Sequence, residues 1–318
     1  MKTDNKTVNK QVTKTGKKKK WNKSQFEFWS MCILPMLHIV IFCYIPLFGI
    51  IIAFKDYKFA RGIFGSEWCG LDNFKVFLSS NDFLHIAWNT VYMNIIMIIT
   101  GTIAAILLAI LMYNLKSRLC TKIFQTMLIT PNFLSWVIAS YMVFAFLNPT
   151  YGLLNQFLIK FGFPEYDWYQ TPWAWRFILP ICNIWKGFGM GSILYYAALM
   201  AISPELFEAL EIDGGKRRHK VWYIMLPEIV PILCIQTIFA VGGIFGGDFG
   251  LFYQVPRNVG VLYSVTDIIP TYIFRVMRVQ GDMGVSSAAG LLQSVVGFAL
   301  VFATNTIVRK VDPERSLF

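Results

Sequence analysis

The 318-residue chain is short of charge. Asp, Glu, Lys and Arg make up 15% of it, where a soluble domain carries about 25%, and 56% of its residues are hydrophobic. A chain of this length has room for a large soluble core. Its apolar residues instead fall in runs too long for ordinary core helices, so the solvent they imply is a bilayer. Close cysteine pairs are missing as well. The six cysteines, Cys32, Cys43, Cys69, Cys120, Cys182 and Cys234, are scattered with no ligand spacing, and neither a disulfide nor a metal site is indicated. His38, His85 and His219 are equally dispersed. No G-x4-G-K-[ST] phosphate loop occurs, since Gly215-Lys216-Arg217 does not fit it. Nucleotide hydrolysis is therefore not expected of this chain, and no Ser/His/Asp set or carboxylate pair suggests an enzyme. Acidic residues are almost absent from the interior of the apolar runs. That counts against an ion-coupled secondary transporter, which builds its proton or sodium sites from them.

Six apolar stretches remain, at 29–54, 90–113, 123–147, 177–201, 222–246 and 286–308. Each reaches the roughly 20 helical residues that cross a ~30 Å hydrocarbon layer. The expectation is an all-α polytopic membrane protein with six transmembrane helices over 29–310. Pro35, Pro46, Pro131, Pro180 and Pro231 lie within or near the spans, where neighbouring helices re-satisfy the freed backbone groups. The stretch from Trp29 is about twice as long as the apolar core of a signal peptide and lacks a small-residue exit, so it reads as an uncleaved first span.

Lys and Arg orient the chain. Residues 1–28 hold nine lysines against Asp4 and Glu27, giving +7 of the net +11. With Lys116, Arg118 and Lys122, the cluster Lys216, Arg217, Arg218 and Lys220, and Arg309, Lys310 and Arg315, one side of the spans collects nineteen cations; the other collects nine over longer loops. Both termini are thus expected in the cytoplasm. The segment 1–28 reads as a solvated basic tail beside anionic lipid rather than a nucleic-acid arm, and 311–318 as a short C-terminal tail.

The inner loop 203–220 is unusual. Ser203 is placed to cap a helix, Pro204 fits the first helical position and acids fill the first turns. Gly214 and Gly215 supply a stop, and a basic helix resumes into the fifth span. Periodicity alone leaves two readings open: an element that fits the groove of a soluble partner and transmits its movement, or an interfacial amphipathic helix without a partner.

The ordered pattern Glu208-Ala209-x3-Asp213-Gly214, then Ile224-x-Leu226-Pro227, resembles the EAA loop of bacterial ABC importer permeases, departing from it at Leu210 and Gly215, where that family commonly has Ala. Gly70-Leu71-Asp72-Asn73-Phe74 and Asn89-Thr90 resemble carbohydrate-uptake permeases of the maltose F-subunit type. The segment Asp248 to Asn258 and the ending Arg309 to Phe318 are similar to the LplB-like polysaccharide or oligosaccharide permeases. The resemblance implies a type I importer permease fold in the bacterial plasma membrane and import of saccharides by alternating access. The implied partners are a second, G-type permease in a heterodimer, two copies of an ABC ATPase carrying the ATP and Mg, and an extracytoplasmic solute-binding protein. No cofactor is implied for this chain. Glu208, Ala209, Asp213, Gly214, Leu226 and Pro227 would form the ATPase-coupling loop. A permease for a non-sugar solute is the alternative.

In the fourth span, Asn183-Ile184-Trp185-Lys186-Gly187 is similar to a string lining the sugar site of maltose-type permeases, with Met190 where those have an aromatic residue. An indole face stacks on a sugar ring, an amide bonds hydroxyls and a glycine permits close approach. Trp185 also fits an interface anchor, and Asn183 a helix–helix bond. Lys186 is open between substrate contact, snorkelling and a pair with Asp248. In the second outer loop Trp168, Tyr169, Trp173 and Trp175 read as an aromatic belt or packing, or as contacts to the binding protein.

Overall fold

The structure, a computed structural model, describes residues 23–311. Most of the basic tail, including Lys17–Lys20, and the ending after Val311 lie outside the described residues. The chain divides into two units, one reaching Gly49 and one beginning at Ile50. In the first, helix α1 (Lys23–Ile39) runs into a π turn, Val40–Tyr44. Proline 46 follows two residues later. Its missing N–H and the bulk of its ring against the carbonyl four residues back widen the preceding turn. The same device recurs at the π turn Val221–Met225 before Pro227.

The second unit begins in the 3-10 turns that end at Phe54 and continues into the one β element among the described residues. Strand β1 (Lys55–Asp56) pairs antiparallel with β2 (Glu67–Trp68), in the register Lys55 to Trp68 and Asp56 to Glu67. The motif that follows explains its own residues. Gly70 takes φ +63°, open to a residue without Cβ. The Asn73 amide donates to the carbonyls of Ala53 and Lys55, both at 3.0 Å. Phe74 packs on Phe54.

The long helices follow: α2 (Phe83–Tyr113), α3 (Arg118–Ile129), α4 (Trp136–Leu147), α5 (Pro172–Met200), α6 (Pro204–Ile212), α7 (Leu226–Gly242) and α8 (Met283–Val311). Five helical segments are long and apolar enough to cross a membrane: Glu27–Phe54, Phe83–Tyr113, Pro172–Met200, Arg217–Gly242 and Met283–Lys310. The stretch 123–147 is not one straight span. It is Arg118–Phe133 followed by Trp136–Leu147, bent by 99°. The break is chemical. Pro131 sits in a 3-10 turn, and the Ser135 hydroxyl accepts from Ile138 N–H at 3.3 Å, starting a new helix.

Lipid gives helices no hydrophobic reason to associate, so small residues set their approach. The most extensive pairing is α2 with α5. There, a Cβ on Gly191 would lie 3.3 Å from that of Ala105, and one on Gly189 would run into the Leu128 carbonyl of α3. At the crossing of α7 and α8, a Cβ on Gly297 would stand 2.8 Å from the Gly242 carbonyl. Two main cores result. One, with Ala109, Tyr195, Leu199, Met225 and Ile229, lies toward the 203–220 loop. The other, with Met93, Trp175, Leu179, Leu251 and Ile268, lies at the opposite end. There Asn89 donates to the carbonyls of Ser264 and Asp267, and the Thr90 hydroxyl accepts from Ile269 N–H at 3.0 Å. The Asn89-Thr90 pair thus pins a loop some 175 residues away in sequence.

Candidate functional site: a polar cavity among the spans and an exposed loop

The 203–220 loop is a helix–turn–helix. Pro204 occupies the first helical position of α6, but the Ser203 hydroxyl makes no capping bond. The N–H it would take, that of Leu206, donates instead to the Ser203 carbonyl at 3.2 Å. Gly214, at φ +75°, ends the helix, and Gly215 N–H returns to the Leu210 carbonyl at 2.8 Å. His219 Nδ1 then accepts from Lys216 N–H at 3.2 Å as the basic turn begins. Lys220 is ion-paired with Glu211 across the turn, which fixes the two arms together. Glu208, Ala209, Asp213, Gly214 and Pro227 are exposed, and Leu226 is half-buried. Glu208 borders a cavity of about 310 Å³ that also has Tyr113, Phe207, Arg217 and Lys220 in its walls. Ile212 is 87% exposed beside these acids. The loop therefore offers an apolar and acidic face backed by a braced turn.

A larger cavity, about 480 Å³, opens among α2, α5 and α7. Asn183, Gly187 and Met190 enter its wall together because they are spaced i, i+4, i+7 on α5. Trp185 and Lys186, two and three residues past Asn183, are not in that wall. Asp248, at the entry to the short helix Phe249–Gln254, is. The residues that adjacency in the sequence did not suggest are Asn94 and Gly101 of α2 and Gln236 of α7. Asn94, Gly101 and Thr102 recur at helical spacing in an otherwise apolar span, and that was the available signal. Gly101 is where the helices open to the Asn183 amide: a Cβ there would lie 3.8 Å from Asn183 Nδ2.

Lys186 and Asp248 do not pair directly. Trp136 stands between them. The Lys186 ammonium lies 5.0 Å from the centre of the Trp136 ring and donates to the Asn132 carbonyl at 3.2 Å. From its edge Trp136 Nε1–H donates to Asp248 Oδ2 at 2.6 Å, while Asp248 Oδ1 accepts from Leu251 N–H at 3.1 Å. The cation thus sits at the broken end of a helix, where carbonyls lack intrahelical partners, rather than on the carboxylate. Gly250 lets this happen, since a Cβ there would collide with the Trp136 ring.

At the start of α5 Trp175 is fully buried and donates from Nε1 to the Trp168 carbonyl at 2.7 Å, whereas Trp173 is exposed. Tyr169 is buried against Trp175, and burial pushes its phenol above the ordinary tyrosine range.

The family described as "Binding-protein-dependent transport system inner membrane component" matches residues 98–314. Protein LplB of Bacillus subtilis (strain 168) is 31% identical over 298 residues, covering 94% of this chain and 91% of the relative. The polygalacturonan/rhamnogalacturonan transport system permease protein YteP of the same organism is also 31% identical, covering 91% and 90%. Among solved structures, a chain of the bacterial alginate ABC transporter, crystallised with an alginate pentasaccharide-bound periplasmic protein, matches with a TM-score of 0.81 at 29% identity, over 91% of this chain and 96% of that one. A multi-pass protein with this fold and these relatives is a transport subunit, and the chain belongs to the family of inner membrane components of binding-protein-dependent transport systems.

Proposed function

We propose that this chain is one of two permease subunits of an ABC importer that carries saccharides into the cell, its walls forming half of a path that opens to alternate sides of the membrane. The observation that carries the reading is the cavity of about 480 Å³ among apolar helices, with amides from three of them, Asn94, Asn183 and Gln236, in its wall. Amides both donate and accept, which suits hydroxyl-rich solutes, and an amide in a span has a cost that function repays. The names of relatives agree, speaking of polygalacturonan, rhamnogalacturonan and alginate.

In this proposal the cation-rich side is cytoplasmic, as are the 1–28 and 311–318 tails. ATP is hydrolysed on two separate ATPase subunits, against which the 203–220 loop docks through Glu208, Ala209, Asp213 and Gly214. Leu226 and Pro227 carry the motion into α7. A solute-binding protein delivers the saccharide from outside, and the second permease is a different, G-type chain. Of the candidate path residues, Asn183, Gly187, Met190 and Asp248 contact the solute; Trp185 stays outside the wall and Lys186 supports the bend between α3 and α4.

The test is purification of the permease with its co-encoded subunits, reconstitution in liposomes, and a screen of oligosaccharides for stimulated ATP hydrolysis. Stimulation by saccharides together with the binding protein is expected. A complex that contains this chain only as a homodimer removes the heterodimer assignment, and stimulation by a non-saccharide solute alone removes the substrate class.

A further inference from the structure

The wall of the larger cavity carries a single full charge. Its polar groups are the amides of Asn94, Asn183 and Gln236, hydroxyls, and the carboxylate of Asp248. No lysine or arginine contributes among the described residues. The nearest candidate in sequence, Lys186, is turned out of the wall, its ammonium committed to the Asn132 carbonyl and the Trp136 ring. The Asp248 carboxylate itself is held in one orientation, each oxygen accepting one N–H, from Leu251 and from Trp136. Each oxygen retains a further lone pair for a donor. A hydroxyl from a solute satisfies such an acceptor. A second carboxylate does not, and like charges brought close together repel.

We infer that Asp248 is an anion filter, so that this half of the path admits neutral saccharides and rejects those bearing uronate carboxylates. The inference rests on the saccharide reading above and departs from relatives whose names concern polygalacturonan and the acidic polysaccharide alginate. It also makes Lys186 and Trp136 positioning residues. Trp136 orients the carboxylate, and the Lys186 ammonium holds the Trp136 ring at 5.0 Å from its centre.

The test is equilibrium dialysis of the purified transporter complex without its binding protein, which removes that protein's own selectivity. The probes are a panel of neutral di- to tetrasaccharides and the same saccharides oxidised at C6 to uronates. At least one neutral member is expected to bind about tenfold or more tightly than its uronate counterpart. Asp248→Asn keeps the shape and the capping acceptor and is expected to narrow that ratio to about threefold or less. Asp248→Ser, which also caps, narrows it in the same way if the asparagine variant assembles poorly. Uronates that bind as tightly as their neutral counterparts in the unaltered protein, or a ratio unmoved by both variants, overturn the filter and leave the saccharide reading standing. If neither set binds, the filter falls, and the saccharide reading is decided by ATP hydrolysis with the binding protein present.

Discussion

Leu210 and Gly215 close the first arm of the exposed loop on each other. Gly215 N–H donates to the Leu210 carbonyl at 2.8 Å, and the Leu210 side chain fills the space that a Cβ at position 215 would need. The two positions where this loop departs from the pattern it resembles are therefore one packing decision. Gly215→Ala should destabilise the turn by about 1–3 kcal/mol through overpacking. Leu210→Ala added to it should restore part of the loss. The remainder persists because the Leu210 carbonyl itself would stand 2.7 Å from the new methyl. Thermal unfolding of the two variants checks this; equal midpoints for the single and the double variant contradict it.

Glu208 and Gly214 should separate coupling from folding. Glu208 is exposed on α6, so Glu208→Lys is expected to leave membrane insertion and stability near normal while abolishing transport and saccharide-stimulated ATP hydrolysis. Gly214, at φ +75°, is different. Gly214→Val forces a β-branched residue into left-handed backbone at a cost of about 1–2 kcal/mol and should lower the unfolding midpoint too. Normal transport in Glu208→Lys removes the docking assignment.

The spans and the helix–turn–helix were legible because apolar run length and Pro/Gly punctuation are local signals. The motifs at 70–74 and 89–90 were legible as patterns, but their reasons were not. Asn73 clasps the carbonyls of Ala53 and Lys55, and Thr90 receives the N–H of Ile269, partners that only tertiary packing supplies. The break between α3 and α4 hid inside a continuous apolar run, although Pro131 and Ser135 marked it. Of the string Asn183 to Gly187 and Met190, the cavity wall takes Asn183, Gly187 and Met190, which share one face of the helix. Which way Lys186 reaches depended on a bend that hydropathy does not record.

Tyr169 carries a buried hydroxyl with no hydrogen-bond partner among the described residues, which leaves a desolvation cost uncompensated. Tyr169→Phe should be neutral or stabilising, by up to about 1 kcal/mol. The pH dependence has a definite sign. Burial, the main influence, raises the phenol in the folded protein. Its contribution to stability is therefore fully present below the ordinary tyrosine range and is lost as pH rises through and above it. Midpoints measured between pH 8 and 11 should fall more for the unaltered protein than for Tyr169→Phe; parallel curves refute the assignment.

Lys186 gives the sharpest test of the bend. A lysine in a span is costly unless it meets water or a partner. Here it has two partners, the Asn132 carbonyl at the broken helix end and the Trp136 ring. Lys186→Met removes a charged donor from that carbonyl and should cost about 1–3 kcal/mol, read as a lower unfolding midpoint of the purified complex. Lys186→Arg retains a donor and a cation for the indole and should recover most of the loss. Asp248→Asn combined with Lys186→Met distinguishes this arrangement from a direct ion pair. In an ion pair, neutralising the carboxylate relieves an uncompensated charge and rescues the methionine variant. With Trp136 between the two groups, no such rescue is expected. A double variant more stable than Lys186→Met alone would show the two charges to be coupled directly.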